Sequence, residues 1–227
     1  MLLLVGGTSA AFAITQSLKD ERSPVGVPRF DRVLAPTCDC PTDVARLELR
    51  LRRADRITAT IVNADGMPVR TLAERERVRR GPLELVWNGR DDAGTVVPEG
   101  RYRLKIQLGR EDRTLLLPTT IRIDTTAPTV RIVGVRVKPD GRVSVVYRTN
   151  DRAAADLAVR GERLPETVVV RGRFRPAGRD KLNWSGRIES ASLPPGRYTL
   201  VLRARDPAGN VSEPATAEFE ALAGAAP

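Results

Sequence analysis

The chain has 227 residues, with 28 acidic and 38 basic side chains and a formal net charge of +10. This length is enough for two domains of about 100 residues, each with its own core. The lack of histidine excludes Ser-His-Asp and Cys-His catalytic sites, HExxH zinc sites and acid–base catalysis by imidazole. We therefore expect a protein that is not an enzyme. A carboxylate-based wall-glycan enzyme is the catalytic alternative, although aromatic residues, which usually line a glycan cleft, make up only 4% of the chain.

The excess of positive charge would suit a nucleic acid, an anionic lipid surface or a phosphate-bearing wall polymer. Four of the 38 basic residues are lysine, which leaves 34 arginines, and scattered arginine among Ala, Val, Gly and Pro is also typical of a GC-rich genome. No basic helix, RNP-like aromatic pair or zinc-finger spacing accompanies the charge, so we do not expect nucleic-acid binding. The expected partners are an envelope protein or an anionic cell-surface polymer.

The first 14 residues predict export. Leu2 to Ile14 is an apolar run, and Ala11-Phe12-Ala13 near its end has the small-x-small form that signal peptidase cleaves. The run is short for a spanning helix, which needs about 20 residues. We predict that residues 1–14 are a signal peptide or a membrane anchor, with a buried strand or helix as the alternative. Residues 15–32 are polar, contain two prolines, and are expected to be a linker.

Strand patterns begin at Arg46. Leu47, Leu49 and Leu51 alternate with charged residues, which is the pattern of a half-buried strand. Further strands are predicted near 57–61, 69–72, 83–87, 102–108 and 115–123, with a turn at 63–66 closing a hairpin. The sequence 124–128 (D-T-T-A-P) interrupts the pattern, so we place a first domain at 33–125, a second at 126–222 and a flexible tail at 223–227.

The second half contains at least six predicted strands, near 130–137, 143–148, 157–159, 168–174, 182–184, 198–204 and 215–219. No segment has a convincing helical period longer than about three turns. The expected fold class is therefore all-β.

Both tryptophans lie in the same short motif. The sequence L-V-W-N-G-R at 85–90 precedes P-E-G-R-Y at 98–102, and L-N-W-S-G-R at 182–187 precedes P-P-G-R-Y at 194–198. The spacing of 97 residues between the tryptophans suits one complete small β domain. In a sandwich with a core about 10 Å thick, Trp87 and Trp184 can bridge the sheets, while Tyr102 and Tyr198 pack at a corner. A tryptophan that stacks on a sugar or peptide is the alternative.

Residues 87–102 resemble the Ig-like module of the flagellar hook-capping protein family, in which W-x-G-x-D-x-x-G leads into P-x-G-x-Y. The second copy keeps the Trp-x-Gly and Pro-x-Gly-x-Tyr parts but has 188–193 in place of the Asp-Asp-Ala-Gly segment, and 204–212 resembles the end of many bacterial Ig-like surface repeats. The resemblance implies an Ig-like fold. Such modules occur in flagellar assembly and as accessory repeats of exported proteins.

Cys38 and Cys40 occupy the two glycine positions of a pattern, S-P-N-G-D-G-x-N-D, that related modules have before the first strong strand. In an oxidising compartment they could form a disulfide that closes a small ring, with an intermolecular disulfide or a reduced pair as alternatives. Asp39 and Asp43 could supply oxygens to Ca²⁺, as in related acidic loops, or be solvated turn residues. No other cofactor is expected.

These observations predict an N-terminal apolar signal or anchor followed by two tandem Ig-like β-sandwich domains. We expect an exported envelope protein, secreted or anchored at its N-terminus, that acts without catalysis as a structural spacer, scaffold or binding module. If the anchor is not cleaved, the membrane is a further partner. The alternatives are an assembly scaffold of an extracellular appendage, such as a flagellar hook, and the carboxylate-based enzyme.

Overall fold

A computed structural model describes residues 23–110 and 112–221. All regular secondary structure in these residues is β. Within the same ranges there is no helix long and apolar enough to cross a membrane. The predicted signal or anchor at 1–14, residues 15–22 of the predicted linker and the predicted tail at 223–227 lie outside the described residues.

The strands, in chain order, are β1 (Val25–Phe30), β2 (Val33–Leu34), β3 (Ala45–Leu51), β4 (Asp55–Val62), β5 (Pro68–Val78), β6 (Gly81–Trp87), β7 (Gly100–Leu108), β8 (Arg113–Ile123), β9 (Val130–Val137), β10 (Val143–Thr149), β11 (Ala154–Gly161), β12 (Leu164–Val170), β13 (Gly178–Trp184), β14 (Arg187–Ile188), β15 (Ala191–Ser192), β16 (Gly196–Arg205) and β17 (Ala215–Ala221).

The chain divides into two compact units. The described parts of the first unit are 23–32, Ala45–Thr95 and the stretch Gly100–Ile121 without residue 111. Those of the second unit are Val33–Val44, Val96–Glu99 and 122–221. The second unit is thus discontinuous in sequence, whereas the sequence analysis placed continuous domains at 33–125 and 126–222. The difference arises because two short segments from the first half make their contacts with residues after 122.

Alternation of apolar and charged residues builds the first unit. Leu47, Leu49 and Leu51 on β3 are buried, while β3 pairs antiparallel with both β1 and β6 in a three-stranded sheet. The other sheet of this unit contains β8, β7, β4 and β5 in that order. Strand β2 pairs with Arg122 and Ile123 at the end of β8, and these paired residues belong to the second unit. Trp87 at the end of β6 packs against Tyr102 on β7, with ring centroids 5.2 Å apart, so the two sheets face each other across a shared core.

The hairpin between β4 and β5 depends on a local side-chain bond. Asn63 Oδ1 accepts hydrogen bonds from the backbone N–H groups of Asp65 at 3.1 Å and Met67 at 2.9 Å. Gly66 has φ of 81°, a conformation that glycine adopts without steric cost. These features satisfy the turn polar groups and set the strand pairing that follows.

The prediction of a linker at 15–32 is wrong for residues 25–30, which form β1. Val25 pairs with Leu51, and the register shifts between Gly26 and Arg29. Only Val25 of this strand is buried, and the bulge breaks the alternation, so the sequence shows no strand pattern there. Backbone pairing with β3 holds the strand instead.

Two sheets also build the second unit, one with the order β13-β10-β9 and one with the order β12-β11-β16-β17. Their inward side chains form one buried cluster that includes Val145, Leu157, Trp184, Leu202 and Phe219. The unit is therefore a two-sheet sandwich, with β14 and β15 as a separate short hairpin.

The central strands of the two three-stranded sheets have matching registers. Ala45 at the start of β3 pairs with Trp87, and Val143 at the start of β10 pairs with Trp184. Six residues further on, Leu51 pairs with Gly81 and Thr149 pairs with Gly178. The two glycines have nearly the same φ, 132° and 130°. Each position on β3 and β6 of the first unit therefore has a counterpart on β10 and β13 of the second unit.

Candidate functional site

The Trp–Gly–Arg turn of the first unit joins the core to a loop. Trp87 is 1% exposed, and its Nε1–H donates to the carbonyl oxygen of Arg90 at 2.9 Å. Gly89 has φ of 70°, which reverses the chain sharply enough to bring that carbonyl back over the indole. The indole thus has its one polar atom satisfied while its ring stays in the core.

The second unit repeats this geometry. Trp184 is 4% exposed and donates from Nε1 to the carbonyl oxygen of Arg187 at 2.8 Å. Its ring meets Phe219 edge-on at 6.2 Å, and the half-buried Tyr198 packs on the same Phe219 at 5.8 Å. The Tyr198 hydroxyl donates to the carbonyl oxygen of Pro194 at 3.0 Å. At these exposures neither tryptophan offers a ring face on which a sugar or peptide could stack.

Two aspartates organise the loop after Trp87, a role that the sequence analysis did not assign. Asp91 Oδ1 accepts the backbone N–H of Thr95 at 2.8 Å, and Asp92 Oδ1 accepts that of Thr71 at 3.0 Å. The first bond closes the Asp-Asp-Ala-Gly turn and the second ties it to β5. The sequence signal was present, because Asp followed by Gly marks a turn that a side chain stabilises.

The structure joins Cys38 and Cys40 in a disulfide, with a Cα–Cα distance of 5.3 Å. Within the second unit this loop packs against the turn after β16. Thr42 Oγ1 donates to the carbonyl oxygen of Ala208. A Cβ on Gly209 would lie 2.4 Å from Cys40 Sγ, so the contact requires glycine at this position.

Asp39 and Asp43, the residues predicted to bind calcium, are both exposed. The described part of the chain contains no group of three or more Cys, Asp or Glu side chains placed to hold a metal ion. Calcium binding by this loop stays a prediction.

A buried polar network lies beside the disulfide loop in the second unit. Asp206 is 2% exposed, and its Oδ1 accepts the backbone N–H groups of Gly209 at 2.7 Å and Asn210 at 3.0 Å. Asn210 Nδ2 donates to Asp206 Oδ2 at 3.0 Å and to the carbonyl oxygen of Asp124 at 3.1 Å. Burial raises the pKa of Asp124, while the neighbouring Arg122 opposes that change. The network fixes the turn on which the cysteine loop rests.

Glu99 secures the segment that follows β8. Its Oε1 accepts hydrogen bonds from Thr125 N at 2.8 Å, Thr125 Oγ1 at 2.9 Å and Thr126 Oγ1 at 2.7 Å. These bonds, from Thr126 first and then Thr125, hold the pKa of Glu99 below its usual value. The segment predicted to separate two domains is thus tied by side chains to the second unit.

Tyr147 lies on the inner side of β10 and is 3% exposed. Its hydroxyl donates to Asp180 Oδ2 at 3.3 Å, and Arg175 Nε lies 3.6 Å from the same oxygen. Burial, followed by the charge and hydrogen bond of Asp180, raises the pKa of Tyr147 to about 12.

The two facing sheets and the tryptophan turn of the first unit define an Ig-like module. Residues 42–112 match the family model described as the FlgD Ig-like domain. The chain therefore contains an Ig-like module that resembles that of the FlgD family, which confirms the resemblance drawn from the Trp-x-Gly and Pro-x-Gly-x-Tyr motifs.

Two curated relatives share a short stretch with this chain. The basal-body rod modification protein FlgD of Salmonella typhimurium strain LT2 is 45% identical over 53 residues, which is 23% of this chain and 22% of that protein. The protein of the same name from Salmonella typhi matches to the same extent. The chain thus spans about a fifth of the length of the curated relatives it matches.

Similar solved structures include the fibronectin(III)-like modules of CbhA from Clostridium thermocellum, with a TM-score of 0.45, 15% identity, and coverage of 87% of this chain and 93% of that one. The FN1–FN3 domains of chicken CNTN1 have a TM-score of 0.41 at 14% identity, covering 85% of this chain and 66% of that one.

Truncating either buried indole should strongly destabilise the unit that contains it. We expect Trp87→Ala and Trp184→Ala each to lower the free energy of unfolding by about 3 to 5 kcal/mol, since each leaves a large cavity and an unpaired carbonyl. Tyr198→Phe, which removes only an exposed hydroxyl, should cost about 1 kcal/mol or less. Denaturant unfolding followed by far-ultraviolet circular dichroism, which reports the strands of both units, measures these changes. Equal small effects for all three variants would contradict the structural role.

Adding one methyl group at Gly209 should disrupt the packing of the cysteine loop. Gly209→Ala places a Cβ 2.4 Å from Cys40 Sγ at a φ of 104°, so we expect a loss of about 2 to 4 kcal/mol from overpacking and backbone strain. Gly94→Ala is the matched control, because Gly94 has φ of 83° with nothing within 4 Å of an added Cβ, and should cost only about 1 to 2 kcal/mol. Urea unfolding compares the two, and equal losses would show that the loop contact contributes nothing.

Stability should fall at high pH through Tyr147. The folded state keeps this phenol neutral above its ordinary pKa of 10, so its contribution is complete below about pH 10 and is lost as the pH rises to about 12. The upper limit of the loss is about 2.7 kcal/mol. Unfolding of the wild type and of Tyr147→Phe, measured across this range, should show the two curves converging. Parallel curves would contradict this assignment.

Proposed function

We propose that the protein is a non-catalytic exported envelope protein, built from two tandem Ig-like sandwiches, that serves as a structural spacer, scaffold or binding module. The observation that carries this proposal is the same core-to-loop connection in both units, with each Trp donating to the carbonyl three residues on. FlgD-type Ig-like domains are a non-catalytic module type, and the match at 42–112 supports that reading.

The repeated connection supports a mechanical role. In each unit the indole in the core is bonded to the loop that leaves the sheet, so the loop cannot move without disturbing buried packing. The bonds of Glu99 to Thr125 and Thr126 give the segment after β8 defined contacts of its own. A module whose loops are fixed to its core can present a binding surface to a partner without reorganising. It can also hold the segments on either side of it at a fixed distance.

A location outside the cytosol is supported by the disulfide between Cys38 and Cys40, because such bonds persist mainly in oxidising compartments. The apolar segment at 1–14 adds the expectation of a signal peptide or an N-terminal anchor. We propose an envelope protein or an anionic cell-surface polymer as the partner.

Intact-mass analysis of the native protein from separated membrane, medium and cytosolic fractions tests this location. We expect the protein in the membrane or the medium, either cleaved after Ala13 or with the anchor retained, and with the mass of the oxidised cysteine pair. An uncleaved, reduced protein confined to the cytosol would overturn the proposal.

An assembly scaffold of an extracellular appendage is the second candidate. The family match and the identity with the basal-body rod modification proteins favour it. Its test is the composition of purified filaments and basal bodies. Recovery of the protein there in a fixed ratio to filament subunits, and loss of the appendage when the gene is deleted, would select this role over that of a general envelope module.

A further inference from the structure

The outer face of the sheet formed by β13, β10 and β9 carries positive charge only. Arg148 on β10 pairs with Arg179 on β13 and with Arg131 on β9, so three arginines stand side by side on one face. Residues paired in this way have Cβ atoms about 4.5 to 5.5 Å apart. Arg136 and Lys181 lie on the same face, since their partners Ser144 and Val146 alternate with the inward-facing Val145 and Tyr147.

In the part of the chain that the structure describes, these five cations have no ion-pair partner. Arg131, Arg136, Arg148 and Arg179 are exposed. The carboxylate of β13, Asp180, is paired in register with Tyr147 on the inner side and bonds to its hydroxyl. Like charges placed directly opposite one another destabilise a sheet. The row of arginines therefore lowers the stability of this sheet, and the needs of folding do not explain its presence.

The first unit provides an internal comparison. By the matching registers, the arginine row corresponds to Gly26, Arg50 and Pro82. On the same face Glu48 pairs with Glu84, and Arg29 Nη1 lies 3.9 Å from Glu48 Oε1. Genome composition affects both halves of the chain alike, yet the corresponding face of the first unit carries charges of both signs. The absence of acids from the described face of the second sheet therefore needs another cause.

We propose that this face, defined by Arg131, Arg136, Arg148, Arg179 and Lys181, binds a linear phosphodiester polymer that lacks aromatic bases. Guanidinium groups bind phosphate oxygens through paired N–H donors, and a row of three presents such donors to successive groups of an extended chain. A surface of one charge sign also attracts a polyanion over a distance.

The shape and composition of the face favour a polymer of this kind. Its outward side chains on the three strands include no aromatic ring, whereas proteins that bind single-stranded nucleic acid stack bases on such rings. A concavity of about 510 Å³ lies beside the row, where the three strands begin or end, and its lining includes Thr129, Arg131, Arg148 and Asn150 as well as Val130 and Ala177. The larger concavity on the first unit, about 1090 Å³, mixes Asp55 and Glu74 with its arginines and is less suited to an anion.

That the natural ligand is a cell-surface polymer rests on the location proposed above, whereas the binding chemistry does not. The two proposals can therefore fail separately. Fractionation tests the location, and equilibrium titration of the full chain with purified poly(glycerol phosphate) over a range of salt concentrations tests the face.

The decisive variant is the triple substitution Arg131→Gln, Arg148→Gln and Arg179→Gln. Each neutralised phosphate contributes about 0.7 to the slope of log affinity against log salt for a single-stranded polyanion. We therefore expect the slope to fall by about 2, with binding at least about tenfold weaker at moderate salt. The corresponding triple Lys variant keeps the charge but loses the paired N–H donors, so its affinity for the polymer should lie between those of the wild type and the triple Gln variant.

The matched control is the triple substitution Arg56→Gln, Arg77→Gln and Arg79→Gln, which removes the same charge from exposed positions of the first unit. We expect it to bind within about twofold of the wild type, apart from a small non-specific electrostatic effect. An equal loss in both triple variants would overturn the proposal, because net charge alone would then account for binding. Tighter binding of single-stranded DNA or of anionic vesicles than of the polymer would also overturn it.

Thermal unfolding shows whether the variants keep their fold. Removal of like charges in register should leave the unfolding temperature of the triple Gln variant unchanged or higher, most clearly at low salt. If that variant does not fold, Arg148→Gln alone removes the central charge of the row and should still weaken binding measurably at low salt. Unchanged binding by this single variant would then overturn the assignment.

Discussion

The hydrogen bond from a buried indole to the backbone carbonyl three residues later is the constraint on which both units depend. It lets a large apolar ring enter the core of a thin sandwich while its polar atom stays satisfied. It also fixes where the chain turns away from the sheet, through Gly89 in one unit and Gly186 in the other. The indole–carbonyl hydrogen bond therefore fixes the position of the loop beyond each tryptophan relative to the core.

A buried polar network in the second unit has a similar double role. Asp206, Asn210 and Asp124 are buried, and each takes part in hydrogen bonds that also order the backbone. Buried polar groups stabilise one arrangement over others because any alternative leaves them unpaired. The cysteine loop rests on this ordered turn, so a loop of irregular backbone has a defined place in the unit.

Alternation and turn chemistry made much of the fold predictable. The inward leucines of β3, the β4–β5 hairpin and the role of the Trp motifs follow from local spacing and residue type, which act over a few neighbours. Strand β1 could not be found in this way, because Pro28 and the bulge beside it remove the alternation and its strength comes from pairing with β3. The contact between the cysteine loop and Gly209 joins segments far apart in sequence, and no local pattern encodes it.

The row of arginines illustrates the same limit on the functional side. In the sequence the arginines are scattered, as genome composition alone would explain. Only the register of three strands shows that Arg131, Arg148 and Arg179 lie side by side. Charge becomes informative once its neighbours are known. The contrast with the mixed face of the first unit likewise depends on the matching registers of the two three-stranded sheets.

The close approach of Gly209 to Cys40 carries a consequence for how such chains diverge. Cys40 and Ala208 are 168 positions apart in sequence yet in contact, and the glycine next to Ala208 has no space for a side chain. In descendants that keep the cysteine pair, position 209 is closed to every other amino acid. A smaller residue in place of Cys40 would relieve only part of this restriction, because Thr42 Oγ1 lies 2.9 Å from the same Cβ position and the φ of 104° still favours glycine.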